Sequence, residues 1–520
     1  MHVFLCQGVC GPSKETTSKA AIRASAMSQA APPLLSVRPT RGLVDEAFKV
    51  LVENLSPGAP VTLHSLHQSE DKHYWEAYGH YISTSTGVVS VTDDLSLGGT
   101  YRGKEAMGLL WSMRPVPGSR TGLRLRKMNI CSPMLVSISV YSGHVSHDFS
   151  QRPPLAAVLT ERWYMAPGVR RLDIKDRGVR GTLFIPSGPG PFPGMLDMLG
   201  SGEGLLEYRS ALLASHGYAS LALKYFAPRE LASADLELDY FEKAFELLRR
   251  HPAVIPGRVG ILGLSLGTNV GMYLASESSV KPTCVCISGS HFFPCGKTLS
   301  AVHQMVYGDV EKLRMDDNQN LIWGDTMTIS SDLSWKLDIS VRTLNCPVML
   351  VNGLDDQNQP TVEFAEDIFH MMHSVGKDHL LTRLEYPDTG HLIEPPYLPH
   401  FRATNVICVP TVGRTNQTTL RCAGGLVDGN LGLSAATSLL QTESKGQDVK
   451  QGLTLWDHLV ACQHSGSHLS VLWSTTCMSY RSTSRNVLFG LPHPGSPTSS
   501  ILLPTPSQSL FLTWPNHLLP

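Results

Sequence analysis

Ser265 is the residue from which this chain is best read. It stands in Gly263-Leu264-Ser265-Leu266-Gly267, with an apolar run at 259–262 before it and small and apolar residues at 268–275 after it. A G-x-S-x-G turn between a strand and a helix holds the serine hydroxyl exposed above the strand end, and glycine two places either side lets the neighbouring backbone pass close by. A hydroxyl attacks an acyl carbonyl only when a base takes its proton, and that base needs an acid to orient it. The chain supplies both further on. An apolar strand-like run ending at Gly353 leads into Leu354-Asp355-Asp356, and another ending at Tyr386 leads into Pro387-Asp388-Thr389-Gly390-His391. Of 21 histidines, His391 alone follows a strand and a glycine in this way. His216 and His251 close helices, where histidine caps or is solvated. The negative charge formed on the attacked oxygen needs two backbone N–H donors. Leu266 is placed to give one, and Gly200 or Ser201 of the loop Leu199-Gly200-Ser201-Gly202-Glu203-Gly204 the other. That loop is not a phosphate cradle, since no Gly-Lys-Ser/Thr follows it.

These residues need elements to carry them. Residues 180–186, 193–198, 218–223, 283–287, 346–353 and 380–386 read as strands, and 205–216, 239–250 and 364–374 as helices. Strands alternating with helices predict a mostly parallel sheet covered on both faces, an α/β-hydrolase domain over 166–404. The helix at 239–250, apolar at Tyr240, Phe241, Ala244, Phe245, Leu247 and Leu248, fits a sheet cover. Between 290 and 339 the alternation lapses, which leaves a lid over an acyl pocket or a surface excursion open. Before the α/β region, residues 35–165 carry short alternating runs such as 48–52, 61–63, 87–91 and 135–140, punctuated by Ser56-Pro57-Gly58 and Leu97-Gly98-Gly99. They predict an all-β, immunoglobulin-like sandwich with no catalytic constellation of its own.

Composition narrows the classes. A net charge of −1 gives no bulk field for nucleic acid or an anionic membrane, and no apolar run is long enough for a membrane span. The 11 cysteines show no zinc spacing, so no metal site is expected, and Cys284 and Cys286 read as buried small hydrophobes. A reducing, intracellular setting follows, cytoplasmic in the first instance. Residues 1–34 read as a disordered leader. Lys14, Lys19 and Arg23 among Ser and Ala give it a mitochondrial-type pattern, with a spliced-on leader before Met27 as the other reading. The last residues, His-Leu-Leu-Pro, are not a peroxisomal Ser-Lys-Leu. Residues 405–520, with ten charged side chains among Ser, Thr, Pro, Gly and Leu, read as a low-order, divergent tail.

Specific runs carry a resemblance. Ser265 in Gly-Leu-Ser-Leu-Gly, Pro191-Phe192-Pro193-Gly194, Leu205-Leu206-Glu207-Tyr208-Arg209 and Gly390-His391-Leu392-Ile393-Glu394-Pro395-Pro396-Tyr397 are similar to the type I acyl-CoA thioesterase and bile acid-CoA:amino acid N-acyltransferase family over about 35–404. The resemblance implies a triad of Ser265, Asp356 and His391, with Asp355 as the fallback acid. It implies acyl-CoA as substrate, hydrolysis through an acyl-serine, and no cofactor. Leu266 resembles the conjugating branch, which keeps transfer of the acyl group to taurine or glycine as the alternative. A mitochondrial or peroxisomal setting is the alternative to the cytoplasm. Its members continue past the Pro-Pro-Tyr run into a helix that packs on the sheet. Residues after 404 show no such helix, so a catalytically impaired isoform is a third reading.

Overall fold

Period-two alternation builds the N-terminal region, as it must in strands with one face on a core. The computed structural model describes residues 31–119, 122–200, 204–225, 237–279, 282–292, 312–318, 320–327, 341–407 and 419–423. The leader before 31 and the stretch from 424 onward lie outside the described residues, as does most of 290–339. The first strands are β1 (Leu34–Arg38), β2 (Arg41–Leu43), β3 (Lys49–Glu53), β4 (Pro60–Gln68), β5 (Tyr74–Ile82) and β6 (Val89–Ser90). A single helical turn, α1 (Gly108–Trp111), precedes β7 (Arg114–Pro115), β8 (Met134–Ser142) and β9 (Ala156–Trp163). One sheet runs β1-β3-β6 and the other β2-β9-β8-β4-β5-β7. Val37, Val52, Leu63, Trp75, Val136 and Val140, drawn from both sheets, share one buried core, so the region is a β-sandwich.

A second, larger sheet follows. β10 (Arg170–Asp176), β11 (Val179–Ile185) and β12 (Phe192–Met198) lead to α2 (Tyr208–Ser215), β13 (Ala219–Leu223), α3 (Leu238–Arg249) and β14 (Val254–Leu264). α4 (Leu266–Glu277), β15 (Thr283–Ile287), β18 (Val348–Gly353), α5 (Thr361–His373) and β19 (Leu381–Tyr386) continue it, and the short strands β16 (Arg314–Met315) and β17 (Leu321–Ile322), between β15 and β18 in the chain, lie in a separate sheet. The order β10-β11-β13-β12-β14-β15-β18-β19 is antiparallel from β10 to β13 and parallel from β13 to β19. Successive residues of each strand serve opposite faces. Leu196, Ile261, Cys284, Cys286 and Leu350 meet α3, α4 and α5, while Met195, Leu262, Val285 and Met349 meet Leu213 of α2. Burial on both faces is why runs such as 259–264 and 284–287 are apolar without a break. α3 buries Tyr240, Phe241, Ala244, Phe245 and Leu248, the face expected of a sheet cover. Cys284 and Cys286 are buried free thiols whose ionisation burial pushes up, which suits packing and not reactivity.

Of the low-order tail expected over 405–520, only 405–407 and 419–423 lie among the described residues. β20 (Ala403–Ile407) and β21 (Thr419–Ala423) pair antiparallel, and β21 pairs parallel with β17 to complete a four-stranded sheet with β16. The β-branched residues Thr404, Val406, Ile407 and Thr419 suit such strands. The partners lie far apart in sequence, so no local period announces the pairing.

Candidate active site

The turn between β14 and α4 holds Ser265 at φ 54° and ψ −121°, a left-handed conformation that non-glycine residues rarely take. Two glycines make that turn possible. A Cβ on Gly263 would lie 2.4 Å from the Gly267 carbonyl oxygen, and one on Gly267 would lie 2.2 Å from the carbonyl oxygen of Met198, at the end of β12. The Ser265 N–H donates to the Ile287 carbonyl at 2.8 Å, which ties the turn to the end of β15. Leu266 opens α4, so its N–H is one of the first-turn donors a helix cannot satisfy internally. Gly200 lies against the serine: a Cβ placed on it would be 3.0 Å from the Ser265 Cβ. Ser201 lies outside the described residues.

The loop carrying Gly200 is braced from below. Asp197 of β12 and Arg209 of α2 form a buried ion pair, Ser210 Oγ donates to Asp197 Oδ2 at 3.0 Å, and Arg209 Nη2 donates to the Met198 carbonyl at 3.3 Å. Ser220 Oγ donates in turn to Ser210 Oγ at 2.9 Å. A buried charge is tolerated where it is paired and hydrogen-bonded in this way.

Asp356 and His391 meet at the end of the neighbouring strands β18 and β19. The His391 Nδ1 lies 2.8 Å from Asp356 Oδ2, with both side chains almost fully buried. Asp356 Oδ1 accepts the backbone N–H groups of Asn358 (2.8 Å) and Gln359 (3.0 Å), and Oδ2 also accepts Thr361 Oγ1 at 3.2 Å. A carboxylate held by so many donors is fixed in direction. It puts the imidazole proton on Nδ1 and leaves Nε2 as the basic atom. That Nε2 is buried and has no hydrogen-bond partner among the described residues. Asp355 turns elsewhere, accepting Gln357 Nε2 at 2.7 Å and pairing with Arg402 at 2.5 Å. The structure thus brings His391 together with Asp356 and not with Asp355.

One residue at this site carries no sequence signal. Gln359, buried, donates from Nε2 to Ser265 Oγ at 3.2 Å, while its Oε1 is buried without a partner among the described residues. Its place three residues after Asp356, in the loop that must face the serine, is the only hint. Gln359 therefore joins the Asp356 loop to Ser265. A neutral imidazole stands nearby in the chain: burial holds His291, just after β15, down to about 3. Asn269 of α4 secures that stretch by donating to Ser290 Oγ and the Phe292 carbonyl, each at 2.8 Å. His216 lies 2.8 Å from Asp45 of the N-terminal region and His251 Nδ1 accepts the Ala253 N–H, so both rings are engaged away from Ser265.

A strand–Ser–helix turn on a mostly parallel sheet, with an aspartate and a histidine meeting at the ends of the next strands, defines the α/β-hydrolase class. Comparisons sharpen that class. Residues 45–176 match the acyl-CoA thioester hydrolase/BAAT N-terminal region, and 236–413 match the BAAT / acyl-CoA thioester hydrolase C terminal. The Mus musculus peroxisomal succinyl-coenzyme A thioesterase is 37% identical over 377 residues, 70% of this chain and 86% of that protein. Mus musculus acyl-coenzyme A thioesterase 2, mitochondrial, is also 37% identical, over 70% of this chain and 80% of its own. The Mus musculus bile acid-CoA:amino acid N-acyltransferase is 33% identical over 73% of this chain and 91% of its own length. The chain belongs to the acyl-CoA thioester hydrolase and bile acid-CoA:amino acid N-acyltransferase family.

Proposed function

We propose that this chain hydrolyses acyl-CoA to a free acid and coenzyme A, with Ser265 as nucleophile, His391 as base and acid, and Asp356 as the group that orients it. Ser265 Oγ attacks the thioester carbonyl as its proton passes to His391 Nε2. The Leu266 N–H, with a second donor from the Gly200–Ser201 loop, receives the charge that develops on the carbonyl oxygen. The carbon–sulfur bond then breaks, and the leaving thiolate takes the proton from Nε2. A water gives a proton to Nε2 and attacks the acyl-serine, and the Ser265 oxygen leaves with that proton. The observation carrying this reading is the 2.8 Å contact of His391 Nδ1 with Asp356, which leaves a buried basic Nε2 on the rim that holds Ser265.

Assay of CoA release across acyl lengths tests it. Ser265→Ala, folded by thermal melt, is expected to lose about 10³-fold or more of the activity. Turnover by that variant equal to the wild type overturns the reading. Transfer to an amine is the second reading, favoured by Leu266 and by kinship with an N-acyltransferase. Mass spectrometry of the products with taurine or glycine present separates acyl-amide from free acid. The peroxisomal and mitochondrial relatives support one of those compartments ahead of the cytoplasm, which fluorescent tagging in cells tests.

A further inference from the structure

We propose that the β-sandwich positions the catalytic histidine, acting through Glu394, a residue three places beyond His391 that is clamped between Arg124 and Tyr208. The proposal rests on the reading of His391 as the base.

From 391 to 402 the chain forms neither helix nor strand, so no regular hydrogen-bond ladder fixes it. Side chains hold it instead, and most of them reach the sandwich. Leu392 and Ile393 pack on the face of the large sheet that α2 covers. Beyond them, Glu394 Oε1 lies 2.7 Å from Arg124 Nη2, and its Oε2 accepts the Tyr208 hydroxyl at 2.9 Å. Tyr397 packs against the sandwich core. The His400 N–H donates to the Trp111 carbonyl at 3.1 Å, its ring stacks on Trp111 with centroids 5.1 Å apart, and Arg114 Nη1 donates to the His400 carbonyl at 3.3 Å. The Arg124 guanidinium also lies over the Phe401 ring, 5.6 Å from its centroid.

Within that set Glu394 has a special place. The Arg124 side chain is 4% exposed and that of Glu394 14%, so water does not screen the pair as it would on the surface. Removing one partner takes away the opposite charge from a largely buried group, and the segment must shift to make up for it. Tyr208 opens α2, and its neighbour Arg209 grips Asp197 and the Met198 carbonyl below the loop that carries Gly200. One carboxylate thus links the histidine's segment, the sandwich and the helix that braces the oxyanion loop. A base displaced by a fraction of an ångström still binds its neighbours but transfers protons poorly, so the cost falls on turnover and not on substrate affinity.

The test is a kinetic split on the full chain, with Ser265→Ala run in parallel. Arg124→Met and Glu394→Gln, compared at equal folded fraction by thermal melt, are expected to lose about tenfold in kcat while KM stays within about twofold. Labelling of Ser265 by a fluorophosphonate, which needs the base but not CoA, is expected to slow by a similar factor, and Arg124→Lys to recover most of the loss. Wild-type kcat in folded Arg124→Met and Glu394→Gln overturns the proposal, as does a loss confined to KM. Should both variants fail to fold, Tyr208→Phe decides: a loss of about threefold or more in kcat supports the clamp, and wild-type kcat refutes it. A Ser265→Ala chain that keeps full activity would overturn the serine reading itself, whatever the clamp variants do.

Discussion

The Ser265 turn and the His391 segment meet at one site but are held by different physics. At the turn, backbone does the holding: Gly263 and Gly267 leave no room for a side chain, and the Ser265 N–H is tied to β15. Such a feature is fixed as soon as the sheet forms. The His391 segment has no regular secondary structure and is held by side chains: Asp356 on one side, and Arg124, Tyr208 and Trp111 on the other. The proposed nucleophile is therefore a property of the sheet, whereas the proposed base is a property of how the sheet and the sandwich fit together. Perturbations of the two should separate cleanly, stability being lost at the turn and turnover being lost along the segment.

The sharpest separation is expected at Asp356. Asp356→Asn offers the imidazole an N–H where it needs an acceptor, so the wrong tautomer forms. A fall of about 10³- to 10⁴-fold in kcat is expected with little change in melting temperature. Near-normal turnover in steady-state assays would break the contrast at its strongest point. A smaller effect is expected at Gln359, which touches both sides. Gln359→Met removes the buried, unpartnered Oε1 and also the contact to Ser265 Oγ. The melting temperature should rise slightly while kcat falls by about tenfold, because a satisfied core replaces a polar atom without a partner. Unchanged kcat would put the residue outside the chemistry.

The gentlest probe is pH. Burial pushes His400, on the sandwich-held segment, down to about 4, and His291, near the turn, down to about 3, from an ordinary 6.5. Below pH 6.5 the unfolded chain takes up protons that the folded one refuses. This contribution to stability is whole above 6.5 and declines as the pH falls from there towards 4 for His400 and 3 for His291. Each histidine should cost roughly 2 kcal/mol of stability at pH 5 relative to pH 7. Stability measured by melting curves across that range should fall for the wild type and fall about half as far for His400→Asn. A flat wild-type curve would mean that neither ring is buried in solution.

Much of this architecture is legible in the sequence because its signals are local. The apolar runs of β14, β15 and β18 are continuous because both faces are buried, and α3 shows its covering face at helical spacing. Ser265 and His391 stand where short runs of residues announce a strand end and a turn. The adjacent pair Asp355 and Asp356 cannot be told apart by such signals, since both follow the same strand. What divides them is Arg402, 47 residues on from Asp355, which occupies the first and leaves the second for the histidine. Gln359 has no motif around it, and Glu394 sits inside a recognisable run whose letters say nothing of Arg124. The pairing of β21 with β17 hides for the same reason: contacts between distant segments depend on the finished fold.

The left-handed backbone at Ser265 means that serine is a poor choice of residue at its own position. A lineage selected for foldability alone would drift towards glycine there and lose its hydroxyl. Serine persists at 265 only where something outside the fold rewards it, and any copy of this chain released from that demand should shed it early.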